Sequence, residues 1–215
     1  MENKQAYIKL VEETLLCAVV IRSEDPHNPI EVKYVPKSWE CIGTGNYAAV
    51  FLYEEHDDWA VKIYARDTEG LIKEAQVYKR LGFHPAYSEL IHQGDTYLIL
   101  RRLKGVTLYE AFHKGIRISE SVIQDINQAL DYARKRGLNP FDVHGKNVMM
   151  KDGKGYVVDI SDFYKEGEDR KWKDLVWAYY KIYKPFFYKH PIPIPYFILD
   201  IIRHSYRLYR RFRKK

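Results

Sequence analysis

A chain of 215 residues that is 46% hydrophobic and 15% aromatic has enough apolar surface to bury a core, which excludes intrinsic disorder. The net charge of +6 comes with only two cysteines, Cys17 and Cys41, in no CxxC or metal-ligand spacing, which excludes a disulfide scaffold and predicts two buried thiols in a reducing cytoplasm. The opening MENKQAYIKL has no charged-then-apolar leader, and no apolar run nears the ~20 residues that span a bilayer, so a soluble cytoplasmic protein is expected.

Residues 1–30 read as an N-terminal extension, in which Tyr7, Leu10, Val11 and Leu15 fall on one face of an amphipathic helix with no evident target. Residues 31–34 and 41–53 are rich in β-branched and aromatic residues, with a glycine turn inside the second run, and predict antiparallel strands. The acidic EEHDD at 54–58 reads as a hairpin turn into a strand at 59–64. A helix is expected over 68–81, where Leu71, Ala75, Tyr78 and Leu81 recur at helical intervals and Gly82 ends the pattern. Strands at 89–92 and 97–103 follow, the second after a Gly94–Asp95 turn.

Beyond Gly105 the pattern turns helical. Ser119 or Ser121 caps a helix whose apolar face is Val122, Ile126, Ala129 or Leu130, and Ala133, stopped by Gly137. Short apolar runs at 148–150 and 156–158 flank the polar KDGKG and predict a small hairpin. From Lys171 on, LVWAYYKIY is one helical segment, and the proline-rich HPIPIP separates it from a last amphipathic helix. Strands with one helix, then mostly helices with one hairpin, imply an α+β chain of two lobes. We expect an N-lobe over 31–103, a C-lobe over 104–200 and a basic tail over 201–215, with the break near 103–107. Residues 203–215 hold seven Arg or Lys and no acid, which reads as a solvated helix, or alternatively as a surface for phosphates of a membrane or nucleic acid.

Several polar residues form an ordered series. Gly43-Thr44-Gly45-Asn46-Tyr47-Ala48-Ala49-Val50 matches G-x-G-x-x-A-x-V, where glycines between strands let amides approach phosphate oxygens. Lys62 follows nineteen residues after Gly43, pointing opposite to Val61 and Ile63 on an alternating strand. Glu74 lies twelve further on, within reach as a partner for Lys62. Asp142 stands five positions before Asn147, and Asp159 closes an apolar run twelve residues later. An acceptor for a hydroxyl proton, an amide oxygen and a second carboxylate suit phosphoryl transfer with Mg²⁺.

From about Glu31 to Tyr183 the chain resembles the protein-kinase-like superfamily. IGTGNYAAVF is similar to its glycine-rich loop, AVKIY to the strand bearing the ATP-phosphate lysine, and YLILRRLKG to the last N-lobe strand running into the hinge. The resemblance implies an ATP- and Mg²⁺-dependent kinase with a bilobal α+β fold. Ile42, Gly43, Thr44, Gly45, Asn46, Tyr47, Ala48 and Val50 would lie over the nucleotide, and Lys62 paired with Glu74 would hold its phosphates. Leu100 would be the gatekeeper, with the backbone of Arg101–Leu103 facing adenine. Asp142 matches the catalytic aspartate, Asn147 the metal-binding asparagine, and Asp159 the aspartate of DFG, with Asp162 as its rival. Asp174 is similar to the buried aspartate of the central C-lobe helix.

The departures bear on the substrate. Ala48 replaces the third loop glycine, Pro140-Phe141 the usual His-Arg, and Ile160-Ser161 the Phe-Gly of DFG; no Ala-Pro-Glu follows. This reduced C-lobe resembles small atypical kinases such as the RIO family and the lipopolysaccharide-sugar kinases. His144 stands where Ser/Thr kinases carry Lys and is more typical of aminoglycoside and choline kinases. A Ser/Thr of a protein is the expected acceptor. The alternatives are a small-molecule hydroxyl (a sugar, amino alcohol or lipopolysaccharide sugar) or a nucleotide-binding pseudokinase.

Overall fold

Helix α1 (Glu2–Leu10) runs on without a break into a π-helical stretch, Val11–Leu16. The computed structural model, which describes residues 2–25 and 28–213 (side chains of 2, 3 and 209–213 excepted), supplies the target that the sequence leaves open for this helix. Tyr7, Val11 and Leu15 pack with Trp39, Phe51, Val61 and Ile99 into one apolar cluster. Polar contacts fix the docking: the Trp39 indole donates to Thr14 Oγ1 at 3.0 Å, and the Tyr97 hydroxyl donates to Glu12 at 3.0 Å. Cys17, expected to be buried, is exposed and donates to the Glu13 carbonyl, and Cys41 is half-buried. Cys17 stands two residues past buried Leu15, about 200° around a helix of ~3.6 residues per turn, which carries the thiol to the solvent side.

Strands β1 (Val20–Arg22) and β2 (Glu31–Tyr34) form a separate antiparallel ribbon. The main sheet comprises β3 (Trp39–Thr44), β4 (Ala48–Tyr53), β5 (His56–Tyr64), and, after α2 (Thr68–Leu81), β6 (Leu90–Gln93) and β7 (Tyr97–Arg101). Its order is β3-β4-β5-β7-β6, antiparallel throughout. The acidic turn is shorter than expected, since β5 already begins at His56, and β7 stops at Arg101 rather than 103. Alternation divides the sheet as its period of two requires. Ala49, Phe51, Val61, Ile63 and Ile99 face α1, whereas Ala48, Tyr64, Leu98 and Leu100 join α2 in the larger core.

Past the linker come β8 (Val106–Thr107), α3 (Leu108–Lys114), α4 (Glu120–Lys135), β9 (Val148–Lys151) and β10 (Lys154–Val157). Then follow α5 (Lys171–Ala178) with a π-helical continuation Tyr179–Tyr183, the single turn α6 (Lys184–Phe186), and α7 (Tyr196–Arg213). The last two residues of the basic run, 214 and 215, lie outside the described residues. Helix α3 was not expected from periodicity, yet it carries a complete capping box between Thr107 and Glu110. The β9–β10 hairpin turns on Asp152 and Gly153, with φ of 50° and 74°, as a two-residue Asp-Gly loop requires. The chain is thus a mixed α+β protein, sheet-rich early and helical later, compatible with a kinase-like fold. No described helix is long and apolar enough to cross a membrane.

Strand β10 lies directly on α4, and Gly155 permits the approach. A Cβ there would run into the Val122 carbonyl and come within 2.9 Å of Ile126 Cγ1. Neither backbone nor a packed isoleucine can yield cheaply, so Gly155→Ala should cost roughly 2 kcal/mol. Urea unfolding measures it, and an unchanged midpoint would mean the two elements are not in contact as described.

Candidate active site

The sheet, α2 and the β10 exit bring three charged side chains together. Lys62, near the C-terminal end of β5, donates to both carboxylate oxygens of Glu74 on α2, at 2.9 and 2.7 Å. Asp159 Oδ1 lies 3.8 Å from the same ammonium. The lysine side chain is 13% exposed and that of Glu74 1%. Burial works against the charge on Lys62, but Asp159 and then Glu74 overcome it and hold the ammonium above the usual lysine range. Burial also pushes the Glu74 carboxyl up, opposed by Lys62. At Asp159 burial is again the largest influence, yet Lys62 and the Ser161 amide outweigh it and keep this carboxyl below its usual range. Tyr64, two residues after Lys62 and so on the same strand face, donates its hydroxyl to Glu74.

Asp159 rather than Asp162 faces Lys62. Asp162 is taken up by Lys165 at 2.8 Å. Asp142 adopts φ 59°, a left-handed conformation that short polar side chains tolerate. The conformation is held from both sides: the Asp142 amide donates to Asp169 Oδ2 at 2.8 Å, and its carbonyl accepts from Asn147 Nδ2 at 3.1 Å. Asn147 is tied in turn to the Asp159 segment, because its carbonyl accepts from the Val158 amide at 3.0 Å. The Asp142 carboxylate contacts the Lys171 ammonium, and His144 Nε2 lies 3.9 Å from it. Burial lowers the proton affinity of His144, with Asp142 pulling the other way.

The glycine turn joins β3 to β4. Neither Gly43 nor Gly45 takes a positive φ. A Cβ on Gly43 would meet nothing within 4 Å, and one on Gly45 only the Ala48 carbonyl at 3.6 Å. The chain's own packing therefore does not ask for glycine at either position; open space lies beside the turn, and the Gly45 amide donates to the Ala48 carbonyl at 2.8 Å. The tip is anchored from outside, since the Arg66 guanidinium donates to the carbonyls of Asn46 at 2.5 Å and of Asp25 and Asn28 at 2.7 Å.

The chain is 33% identical over 199 residues to a Bacillus subtilis (strain 168) protein named "Putative serine/threonine-protein kinase YrzF", covering 91% of this chain and 90% of that one. The chain belongs to that protein's kinase-like family. No protein-family profile matches it.

Three features of this kinase-like chain escaped the sequence. The buried aspartate that meets the Asp142 backbone is Asp169, with its side chain 3% exposed, and not Asp174, which is half-buried and accepts from the Tyr206 hydroxyl at 2.8 Å. Lys171 reaches Asp142 from the start of α5, and its own amide donates to Asp169 at 2.9 Å. The acidic hairpin is more than a turn: Asp57 and Asp58 bind Lys104 at 2.8 and 3.1 Å, and Asp57 binds Arg102 at 3.2 Å, clamping the linker after β7. Arg101 turns its side chain to Glu89 at 2.7 Å, while its amide donates to the Glu89 carbonyl and its carbonyl accepts from Ser88.

A cleft of about 520 Å³ opens beside these elements, lined by Ile42 of β3, Thr107, Tyr109 and Glu110 at the start of α3, Lys146, and Tyr196, Asp200 and Arg203 of α7. Lys146 lies over the Tyr109 ring at 4.3 Å, four residues after Asp142. Burial, then Arg203, lowers the proton affinity of its ammonium.

Proposed function

We propose that this protein is an ATP-dependent phosphotransferase of bilobal kinase architecture, with a Ser or Thr hydroxyl of a protein as acceptor. The observation that carries the reading is Lys62 held against buried Glu74 with Asp159 3.8 Å away. A salt bridge sunk this deep does little for stability that apolar packing could not do, so its presence points to a use for the ammonium. In this reading the Gly43–Ala48 turn covers the phosphates, Lys62 binds their oxygens, and Ile42 and Val50 flank the base. Arg101 has spent its backbone groups within the chain, so adenine would rest on the backbone of Leu103.

Asn147 and Asp159 fit a Mg²⁺ site. Both side chains offer the oxygen donors that Mg²⁺ prefers, and an ion that takes one or two protein ligands would complete its shell with phosphates and water. When bound, Mg²⁺ would neutralise charge on the phosphates. The chain's own contribution is positioning. Asp142, in its constrained left-handed backbone, orients the acceptor hydroxyl and takes its proton. Lys171, beside it, supplies the ammonium that position 144 does not.

A thermal-shift titration with labelled-phosphate transfer tests this. Stabilisation by ATP should deepen with Mg²⁺, and at 100 times Kd should reach about 2.7 kcal/mol. Label from ATP should appear in protein bands of a cell extract. No shift with Mg²⁺-ATP would overturn the reading, and label confined to small metabolites would move the acceptor to the class that His144 favours.

A further inference from the structure

Helix α7 has one face that the fold uses and one that it does not. The used face is well fastened: Leu199 is buried, Tyr196 stacks on His113 with ring centroids 3.6 Å apart, Tyr109 donates to Asp200 at 3.1 Å, and Tyr206 donates to Asp174. The opposite face carries Phe197, Ile198, Ile201, Ile202 and Leu208. Phe197 is 65% exposed, Ile201 59% and Ile202 55%. Five large apolar side chains within three turns are far more than scattered surface hydrophobics, and a contiguous patch of this kind marks a binding face.

The charge says what covers it. In sequence the same segment passes into the run 203–215, with seven Arg or Lys and no acid, so the apolar stripe overlaps a strongly cationic end of the chain. A protein core would not welcome that end, whereas an anionic surface would. An amphipathic helix with an apolar face, a basic complement and too little hydropathy to span lies in the plane of a membrane interface. We infer that α7 docks this protein on an anionic phospholipid bilayer, with Phe197, Ile201, Ile202 and Leu208 at the acyl-chain boundary and the positive charge of the run 203–215 drawing it to the headgroups. Docking there brings the cleft lined by Tyr196, Asp200 and Arg203, on the inner side of the same helix, close to the bilayer surface. The inference does not depend on the kinase reading.

Vesicle flotation of the full chain tests it. Protein should float with phosphatidylcholine vesicles containing phosphatidylglycerol, stay behind with phosphatidylcholine alone, and be released by salt, because each surface arginine contributes on the order of fivefold to partitioning. Ile201→Asp combined with Ile202→Asp should lower partitioning by at least ~tenfold, since each isoleucine withdrawn from water is worth about that much. Both side chains are mostly exposed, so the variant should keep its circular dichroism and its melting temperature. Wild-type protein that never floats, or a double variant that floats as well as wild type, overturns the inference. So does a double variant that turns a dimer into a monomer in gel filtration, which would give the face to a second copy of the chain.

Discussion

Asp142→Asn should leave the protein folded and able to bind nucleotide while lowering phosphoryl transfer by about 10²- to 10⁴-fold, the range over which a positioned proton acceptor contributes. Asparagine is the substitution to use because it tolerates the left-handed φ of 59° that this position requires. The backbone bonds to Asp169 and Asn147 come from the Asp142 amide and carbonyl, so they survive the change. What is lost is the carboxylate and its contact with Lys171. Steady-state transfer of labelled phosphate, run beside a thermal shift with Mg²⁺-ATP, separates the two effects. An Asp142→Asn protein that transfers at the wild-type rate would remove Asp142 from the chemistry. Asp169→Ala makes a useful contrast: Asp169 holds the backbone amides of residues 142 and 171 and lies 3.5 Å from the Lys171 ammonium, so its loss of transfer should come with a fall in melting temperature.

The residues legible in the sequence are those whose partners are set by regular periods. Lys62 and Glu74 could be paired on paper because the alternation of β5 and the 3.6-residue repeat of α2 each decide a facing direction, and the two directions meet. Tyr64 followed from the same alternation and was available to anyone asking what shares a face with Lys62. Helix α3 was announced by Thr107 and Glu110 as a capping box, a local signal weaker to the eye than an apolar stripe. By contrast, Asp169 and Asp174 stand five apart in EDRKWKDL, where the chain passes from coil into α5 and no period says which carboxylate turns inward. The salt links from Asp57 and Asp58 to Arg102 and Lys104 span more than forty residues, and charge alone does not choose a partner at that separation. The docking of α1 is the same problem in apolar form. Its face was readable, but the sheet face that receives it had to be folded first.

Lys62→Met should damage both activity and stability, and the two losses can be separated. Transfer should fall on the order of 10²-fold or more, as when a preorganised donor to a developing charge is removed. Stability should fall by about 3–5 kcal/mol, because Glu74 is left as a buried carboxylate whose cation is gone. The stability loss should depend on pH in a definite direction. Burial already pushes the Glu74 carboxyl above its ordinary value, and Lys62 restrains the rise. Without the lysine the folded state binds that proton more tightly than the unfolded chain does. A folded-state affinity raised in this way makes stability fall as pH rises through the carboxyl's range. Lys62→Met should thus melt closer to wild type at pH 5 than at pH 8. Adding Glu74→Gln should recover much of the stability, since a neutral amide can still accept the Tyr64 hydroxyl, and should recover none of the transfer. If the single variant melted like wild type at pH 8, the pair would not be buried as described. If the double variant regained transfer, the ammonium of Lys62 would have no part in holding the phosphates.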